Sequence, residues 1–168
     1  LGAKGAAAAL DGNVSRLTNV KGALSTTQDQ ETKTLLLTYS DPSTPSNIYT
    51  VSSVDRIGEQ ANWKQLTNTN PQVGGIVLGE VEEITWKSLD GTMTGGVLVK
   101  PAGYERGKRY PLIVQIHGGP AGASILNFSS SYSTYSHVYA GAGYAVLLPN
   151  YRGSTNYGEK FRMEISGD

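Results

Sequence analysis

The chain has 168 residues, and its 14 Lys and Arg balance its 14 Asp and Glu, giving a formal net charge of zero. This balance gives no electrostatic reason to expect nucleic acid or an acidic membrane surface as a partner. The chain has no cysteine, and its two histidines, His117 and His137, lack the spacing of a helical zinc site. We therefore expect no metal and no cofactor. The alanine-rich run at residues 6–10 is too short for a signal sequence or a membrane span, so the compartment stays open, with the cytoplasm favoured.

The first half of the chain, up to about residue 70, is polar and predicts an all-β structure. Short β-prone runs at residues 14–17, 34–39, 47–51 and 63–66 are separated by turn signals. The three consecutive leucines at residues 35–37 do not alternate with polar residues, which predicts a strand buried on both faces. Spacing of this kind is typical of a β-sandwich or of a β-propeller blade.

The second half predicts a parallel sheet with helices. Residues 81–88 and 93–99 flank an Asp-Gly turn and alternate apolar with polar side chains, which predicts a hairpin. Apolar strands are predicted at residues 111–116 and 144–148, the second closed by Pro149. A helix is predicted between them at 132–142 and another at 157–165. A strand–helix–strand unit places its active loops at the carboxyl ends of the parallel strands.

The loop after the first of these strands has the composition of an oxyanion-binding loop. It reads His117-Gly118-Gly119-Pro120. Glycines let the backbone approach a substrate carbonyl closely, and the N–H of Gly119 is placed to donate to the oxyanion of an acyl-transfer reaction. Pro120 biases Gly119 toward an extended conformation. An ordinary Gly-Gly turn is an equally weighted alternative.

The loop after the second strand is predicted to support the first. Its supporting residues are Asn150, Tyr151, Arg152 and Gly153. Arg152 is predicted to act as a brace because a guanidinium offers several donors to a carboxylate or to carbonyl oxygens. A solvated arginine is the alternative interpretation.

Neither histidine is predicted to be catalytic. In α/β-hydrolases the triad histidine follows the nucleophile along the chain, so His117 is predicted to be a structural imidazole that bonds loop backbone. His137 lies among Tyr132, Tyr135 and Tyr139 on the predicted helix, where such spacing indicates packing. No serine has glycine both two residues before and two residues after it, so the G-x-S-x-G pattern of a serine nucleophile is absent. The chain is thus predicted to be an inactive piece that stops before the catalytic serine.

Taken in order, these motifs resemble the prolyl oligopeptidase family, and within it the acylaminoacyl-peptidase and dipeptidyl-peptidase-like branch. The resemblance rests on residues 80–91, 117–120, 150–158 and 166–168, with a looser match at residues 39–49 and 66–70. It implies an α/β fold class. Residues 1–72 would be the last part of a β-propeller, and residues 73–168 the amino-terminal part of an α/β-hydrolase domain.

The resemblance implies a serine peptidase that releases short units from the N-termini of peptides through an acyl-enzyme. Short peptides are the expected partner, and a homo-oligomer is left open. By the same resemblance the N–H of Gly119 is an oxyanion donor, while the catalytic Ser, Asp and His match positions beyond Asp168. An esterase or lipase, or a non-catalytic propeller-bearing binding protein, are the alternatives.

A half-built parallel sheet also has a consequence for solubility. It would leave apolar side chains without some of their neighbours, namely Val114, Ile116, Val146 and Leu147. We therefore expect this piece to be poorly soluble when expressed alone.

Overall fold

The computed structural model describes residues 15–119, 121–128 and 135–166. These residues form two compact units that divide between Gly74 and Gly75, whereas the sequence placed a domain boundary between residues 72 and 73. No helix in the described ranges is long and apolar enough to cross a lipid bilayer.

The first unit is an antiparallel sheet in which each strand pairs with the next along the chain. Its strands are β1 (Ala23–Gln28), β2 (Leu35–Asp41), β3 (Thr44–Val51) and β4 (Lys64–Gln65), in the order β1-β2-β3-β4. Short 3₁₀ turns lie at Val54–Arg56, Gln60–Asn62 and Pro71–Gly75. The core is formed by Leu35, Leu37, Val51 and Ile57, with Leu24, Tyr49 and Trp63 packed against it. The strands predicted at residues 34–39, 47–51 and 63–66 are confirmed as β2, β3 and β4.

Two predictions for this unit were wrong. Residues 15–17 contain no strand, and Val14 lies outside the described residues; the first strand of the sheet is β1, whose sequence ALSTTQ lacks a regular apolar alternation. The second error concerns β2, which is not buried on both faces because Leu36 is 48% exposed. Successive side chains of a strand point to opposite faces. Leu35 and Leu37 therefore enter the core and Leu36 does not.

The second unit is a mixed sheet with short helices. It contains β5 (Val81–Lys87), β6 (Met93–Val99), β7 (Leu112–Val114), α1 (Ser136–Gly141), β8 (Ala145–Asn150) and α2 (Glu159–Met163), and its strand order is β5-β6-β8-β7. Strands β5 and β6 form the predicted hairpin, β6 runs antiparallel to β8, and β7 runs parallel to β8. The predicted hairpin and the predicted strand–helix–strand order are thus confirmed. The predicted helix start at Tyr132 lies outside the described residues.

The core of this unit lies between α1 and the paired strands β6 and β8. Val97 pairs with Leu148 and Val99 pairs with Val146 across these strands. Ala140 of α1 is fully buried and completes the cluster. Because Ala140 is small, the helix approaches the sheet closely, and its carbonyl oxygen accepts the N–H of Ala102 at 2.9 Å.

Strand β8 continues through Pro149 to Asn150, so the prediction that Pro149 ends this strand was wrong. A proline donates no ladder hydrogen bond and is rare inside a sheet. Its partner on β6 is Gly96, where a Cβ would lie only 2.9 Å from the Pro149 Cα. The missing side chain at Gly96 therefore makes room for the proline, and Asn150 becomes the end of the strand.

The prediction about unpartnered apolar residues was correct in part. Val114 at the end of β7 is 50% exposed, and Ile116, two residues after β7, is 70% exposed, as expected beside the last strand of the described sheet. Val146 is fully buried, so the expectation for this residue was wrong. Its strand, β8, is flanked on both sides, by β6 and by β7.

Candidate active site

Two loops follow the carboxyl ends of the parallel strands β7 and β8. We call residues 117–128 loop A and residues 151–158 loop B; Pro120 of loop A lies outside the described residues. Since β7 and β8 are neighbours in the sheet, the loops that follow them lie at one edge. The turn of the β5–β6 hairpin reaches the same edge, because Gly95 near the start of β6 pairs with Asn150 at the end of β8.

Asn150 holds loop A through its side chain. Its Oδ1 accepts the Ser124 N–H at 2.7 Å, and its Nδ2 donates to the Ser124 carbonyl oxygen at 2.9 Å. The Nδ2 also donates to the Tyr157 hydroxyl at 3.2 Å. Asn150 is only 4% exposed, so these bonds form away from competing water. The amide acts as one more peptide group at the end of β8 and fixes Ser124 against the strand.

The Tyr157 hydroxyl depends in turn on a glycine of the sheet. A Cβ on Gly95 would lie 2.8 Å from the Tyr157 hydroxyl oxygen. A larger residue at position 95 would therefore displace Tyr157 from Asn150. No sequence pattern indicates this contact, since residues 95 and 157 are far apart in the chain.

The imidazole of His117 is held by loop A and by loop B. Its Nδ1 lies 3.0 Å from the carbonyl oxygen of Gly118, and its Nε2 lies 3.1 Å from the hydroxyl oxygen of Ser154. The Tyr151 ring stacks on the imidazole with centroids 4.6 Å apart, and its hydroxyl donates to the His117 carbonyl oxygen at 2.7 Å. The bond to Gly118 is the backbone contact that the sequence predicted for this ring.

Gly119 has a φ of +125°, a conformation that residues with a side chain rarely adopt. The extended conformation predicted for this residue was therefore wrong. A Cβ at Gly119 would lie 3.1 Å from the backbone nitrogen of Ala121, whereas one at Gly118 would meet no atom within 4 Å. The backbone of loop A therefore requires glycine at position 119 and tolerates a side chain at position 118.

Gly153 and Arg152 connect loop B to the elements beside it. Gly153 is buried, has a φ of +95° and donates its N–H to the Phe161 carbonyl oxygen at 3.1 Å. Arg152 lies 3.4 Å from a carboxylate oxygen of Asp90 in the β5–β6 turn. The N–H of Thr92, and more weakly the Arg152 guanidinium, hold the pKa of Asp90 below its usual value. This ion pair is half exposed on both sides, so it contributes little stability.

A cavity of about 280 Å³ lies behind loop A. Its described lining includes His117 and Ser124 from loop A, His137 from α1, and Val97 and Leu148 from the sheet. Leu126 of loop A packs against the core of this unit, and hydrogen bonds to Asn150 and to loop B also hold loop A.

The second histidine of this unit, His137, packs against an aromatic ring. His137 stacks on Phe128 with ring centroids 5.2 Å apart. This is the packing role predicted for it, here against Phe128. In the part of the chain that the structure describes, no group of three or more His, Cys, Asp or Glu side chains is placed to hold a metal ion.

Sequence reasoning missed several groups that join the two loops. The Ser154 hydroxyl, the Ser124 peptide and the Tyr157 hydroxyl were assigned no role, and neither was the bond from the Thr155 N–H to the Gly122 carbonyl oxygen at 2.9 Å. The available signal was the polar run from Asn150 to Gly158, directly after an apolar strand. The run indicates a candidate site loop without revealing which atoms it contacts.

Comparison with known proteins points to one family. The sequence profile described as "Prolyl oligopeptidase family" matches residues 130–168. The chain is 37% identical over 128 residues to the uncharacterized peptidase YuxL of Bacillus subtilis. The aligned segment is 76% of this chain and 18% of that protein. It is 36% identical over 99 residues to dipeptidyl-peptidase 5 of Arthroderma otae. That aligned segment is 59% of this chain and 13% of that protein.

A solved structure agrees with these sequence matches. The acylaminoacyl peptidase of Pyrococcus horikoshii superposes with a TM-score of 0.69 at 25% identity, over 92% of this chain and 23% of that one. The chain thus spans about a fifth of the length of the relatives it matches. The resemblance that the motifs predicted is confirmed.

Proposed function

Because this chain belongs to the prolyl oligopeptidase family, we propose that it is part of a serine peptidase that cleaves peptides near their N-termini through an acyl-enzyme. In this proposal the chain supplies one oxyanion donor, the backbone N–H of Gly119, and the loops that position it. The catalytic Ser, Asp and His belong to the remainder of the protein. The names of the matched relatives, a dipeptidyl-peptidase and an acylaminoacyl peptidase, support a peptide substrate.

The observation that carries the proposal is the geometry of loop A. Gly119 follows the carboxyl end of a parallel strand with a φ that requires glycine, and loop A is held by Asn150 and by Tyr151 of loop B. An N–H fixed in this way stabilises an oxyanion without reorganising during the reaction. In a Gly-Gly turn without such support, the N–H would have to reorient in each catalytic cycle, which costs free energy.

The first unit fits the proposed architecture. A four-stranded antiparallel sheet paired in chain order is the form of a β-propeller blade. We propose that it is the last blade before the hydrolase domain. Leu36 and Ile48, both more than 40% exposed, are then residues that pack against a neighbouring blade in the whole protein.

The assay of the proposed function uses the full-length protein that carries this chain. Aminoacyl, acylaminoacyl and dipeptidyl fluorogenic amides are offered alongside short-chain esters, and a fluorophosphonate probe reports a reactive serine. Amide hydrolysis with probe labelling is the expected result. Ester hydrolysis alone would favour an esterase, and the absence of labelling and of turnover would favour a binding protein.

Gly119→Ala tests the assigned donor. The new side chain cannot keep the φ of +125°, so the N–H turns away, and we expect kcat to fall about 100- to 1,000-fold. Gly141→Ala is the matched control, because Gly141 lies at the end of α1, outside both loops, and a Cβ there meets no atom within 4 Å. If both variants lose the same activity, or if Gly119→Ala retains full kcat, the N–H of Gly119 is not the donor.

A further inference from the structure

We infer that Ser154 is a positioning residue that sets the direction of the Gly119 N–H by fixing the tautomer of His117. The inference rests on the proposed function in one respect only, the use of that N–H as a donor. Ser154 is 0% exposed, and its hydroxyl oxygen lies 3.1 Å from the Nε2 of His117. A hydroxyl as deeply buried as this one needs a hydrogen-bond partner.

The tautomer follows from the groups that face the ring. A carbonyl oxygen can only accept, so the Nδ1 of His117, 3.0 Å from the Gly118 carbonyl oxygen, must carry a proton. In the neutral ring Nε2 is then the acceptor, and the Ser154 hydroxyl donates to it. A doubly protonated ring would leave the Ser154 hydrogen buried without an acceptor among the described residues.

The tautomer of His117 affects the direction of the Gly119 N–H through a single peptide group. The carbonyl of Gly118 and the N–H of Gly119 belong to the same peptide group, and in a planar trans peptide they point in opposite directions. Holding the carbonyl oxygen on the His117 side therefore directs the N–H to the other side. A peptide between two glycines has little steric preference of its own, so it needs this external bond.

The other described contacts of His117 do not involve its Nε2 atom. Tyr151 bonds the His117 carbonyl and stacks on the ring, which fixes the ring plane but not the proton. Gly122 lies alongside the bonded pair, where a Cβ would be 3.3 Å from the Gly118 carbonyl oxygen. Among the described contacts, only Ser154 bonds to Nε2, so it supports from that side of the ring the tautomer that the Gly118 carbonyl requires at Nδ1.

The test compares Ser154→Ala with Ser136→Ala in the full-length protein. Ser136 is a serine of α1 that is 2% exposed, so the control removes a similarly buried hydroxyl. We expect kcat to fall about 10- to 100-fold for Ser154→Ala, less than the loss on removing a donor outright, with KM changed less than twofold. In a His117→Ala background the same substitution should have almost no further effect, since Ser154 acts through the ring.

A second readout does not need activity. In protein labelled with ¹⁵N-histidine, the His117 signals, assigned by their loss in His117→Ala, should show protonated Nδ1 in the wild type and a tautomer mixture in Ser154→Ala. Protonated Nε2 in the wild type would overturn the inference, as would additive kcat losses in the double variant. An inactive wild-type protein would refute the proposed function, while the nitrogen signals would still decide the role of Ser154.

Discussion

The side-chain amide of Asn150 provides a direct test of how loop A is held. We predict that Asn150→Asp loosens loop A while leaving the rest of the sheet intact. The substitution keeps the size of the side chain and keeps the oxygen that accepts the Ser124 N–H at 2.7 Å. It replaces only the donating nitrogen by an oxygen, so any effect reports the lost donor and the added charge.

The expected magnitude follows from the two bonds that the nitrogen makes. The carboxylate oxygen cannot donate to the Ser124 carbonyl, which the amide bonds at 2.9 Å. An unsatisfied buried acceptor costs about 1–3 kcal/mol. The Tyr157 hydroxyl can rotate to donate to the carboxylate, so this second contact is retained. We expect a loss of about 2 kcal/mol, which corresponds to a roughly 30-fold increase in the opening of loop A.

Hydrogen exchange of loop A peptides, followed by mass spectrometry in the full-length protein, measures this opening. Asn68→Asp is the control, because it adds the same charge at an exposed position of the first unit. Burial raises the pKa of a carboxyl group, so the difference from wild type should be full above that raised pKa and should shrink as the pH falls through it. Exchange within twofold of wild type at pH 7 would refute the argument.

Three further predictions concern the sheets and a turn. Gly96→Ala should cost about 3 kcal/mol, because its Cβ would lie 2.5 Å from a carbonyl oxygen of β8; an unfolding midpoint in urea equal to that of Gly118→Ala would contradict this. Bonds from the Thr32 N–H and hydroxyl hold the pKa of Asp29 below its usual value. Asp29 therefore stabilises the turn fully at a pH above its unfolded-state pKa, and this stabilisation is lost as the pH falls through its folded-state pKa. A ¹³C titration midpoint of the Asp29 carboxyl at or above the unfolded-state pKa would contradict the prediction. Ile116→Lys should raise the soluble fraction of residues 75–168 expressed alone, because Ile116 is 70% exposed beside the free edge of β7; an unchanged soluble fraction would show that this face does not drive aggregation.

Those parts of the fold that depend on local signals were predictable. The hairpin β5–β6 was predicted because its alternation and its Asp-Gly turn both lie within the segment itself. Strand β1 was not predicted, because its sequence ALSTTQ has no alternating apolar pattern. It forms a strand through its antiparallel pairing with β2. The continuation of β8 through Pro149 depends on Gly96, a residue more than fifty positions away.

The candidate site shows the same division. The sequence located both loops, because polar and glycine-rich runs follow apolar strands. It did not find that Ser154 bonds the ring of His117, or that Asn150 bonds the peptide of Ser124. These contacts depend on how the parallel strands bring two loops together, and no periodicity within either loop encodes them.

Under the proposed function, the contacts at this edge of the sheet explain what the chain would contribute to catalysis. The side chains there, Asn150, Tyr151, Ser154 and His117, bond to each other or to loop backbone. The Ser154 hydroxyl does bond an imidazole, as a nucleophile bonds its base, but Ser154 is 0% exposed, so a substrate carbonyl cannot reach its hydroxyl. In the proposed function, the group that acts in catalysis is the backbone N–H of Gly119, and the polar residues of both loops would hold that N–H in place.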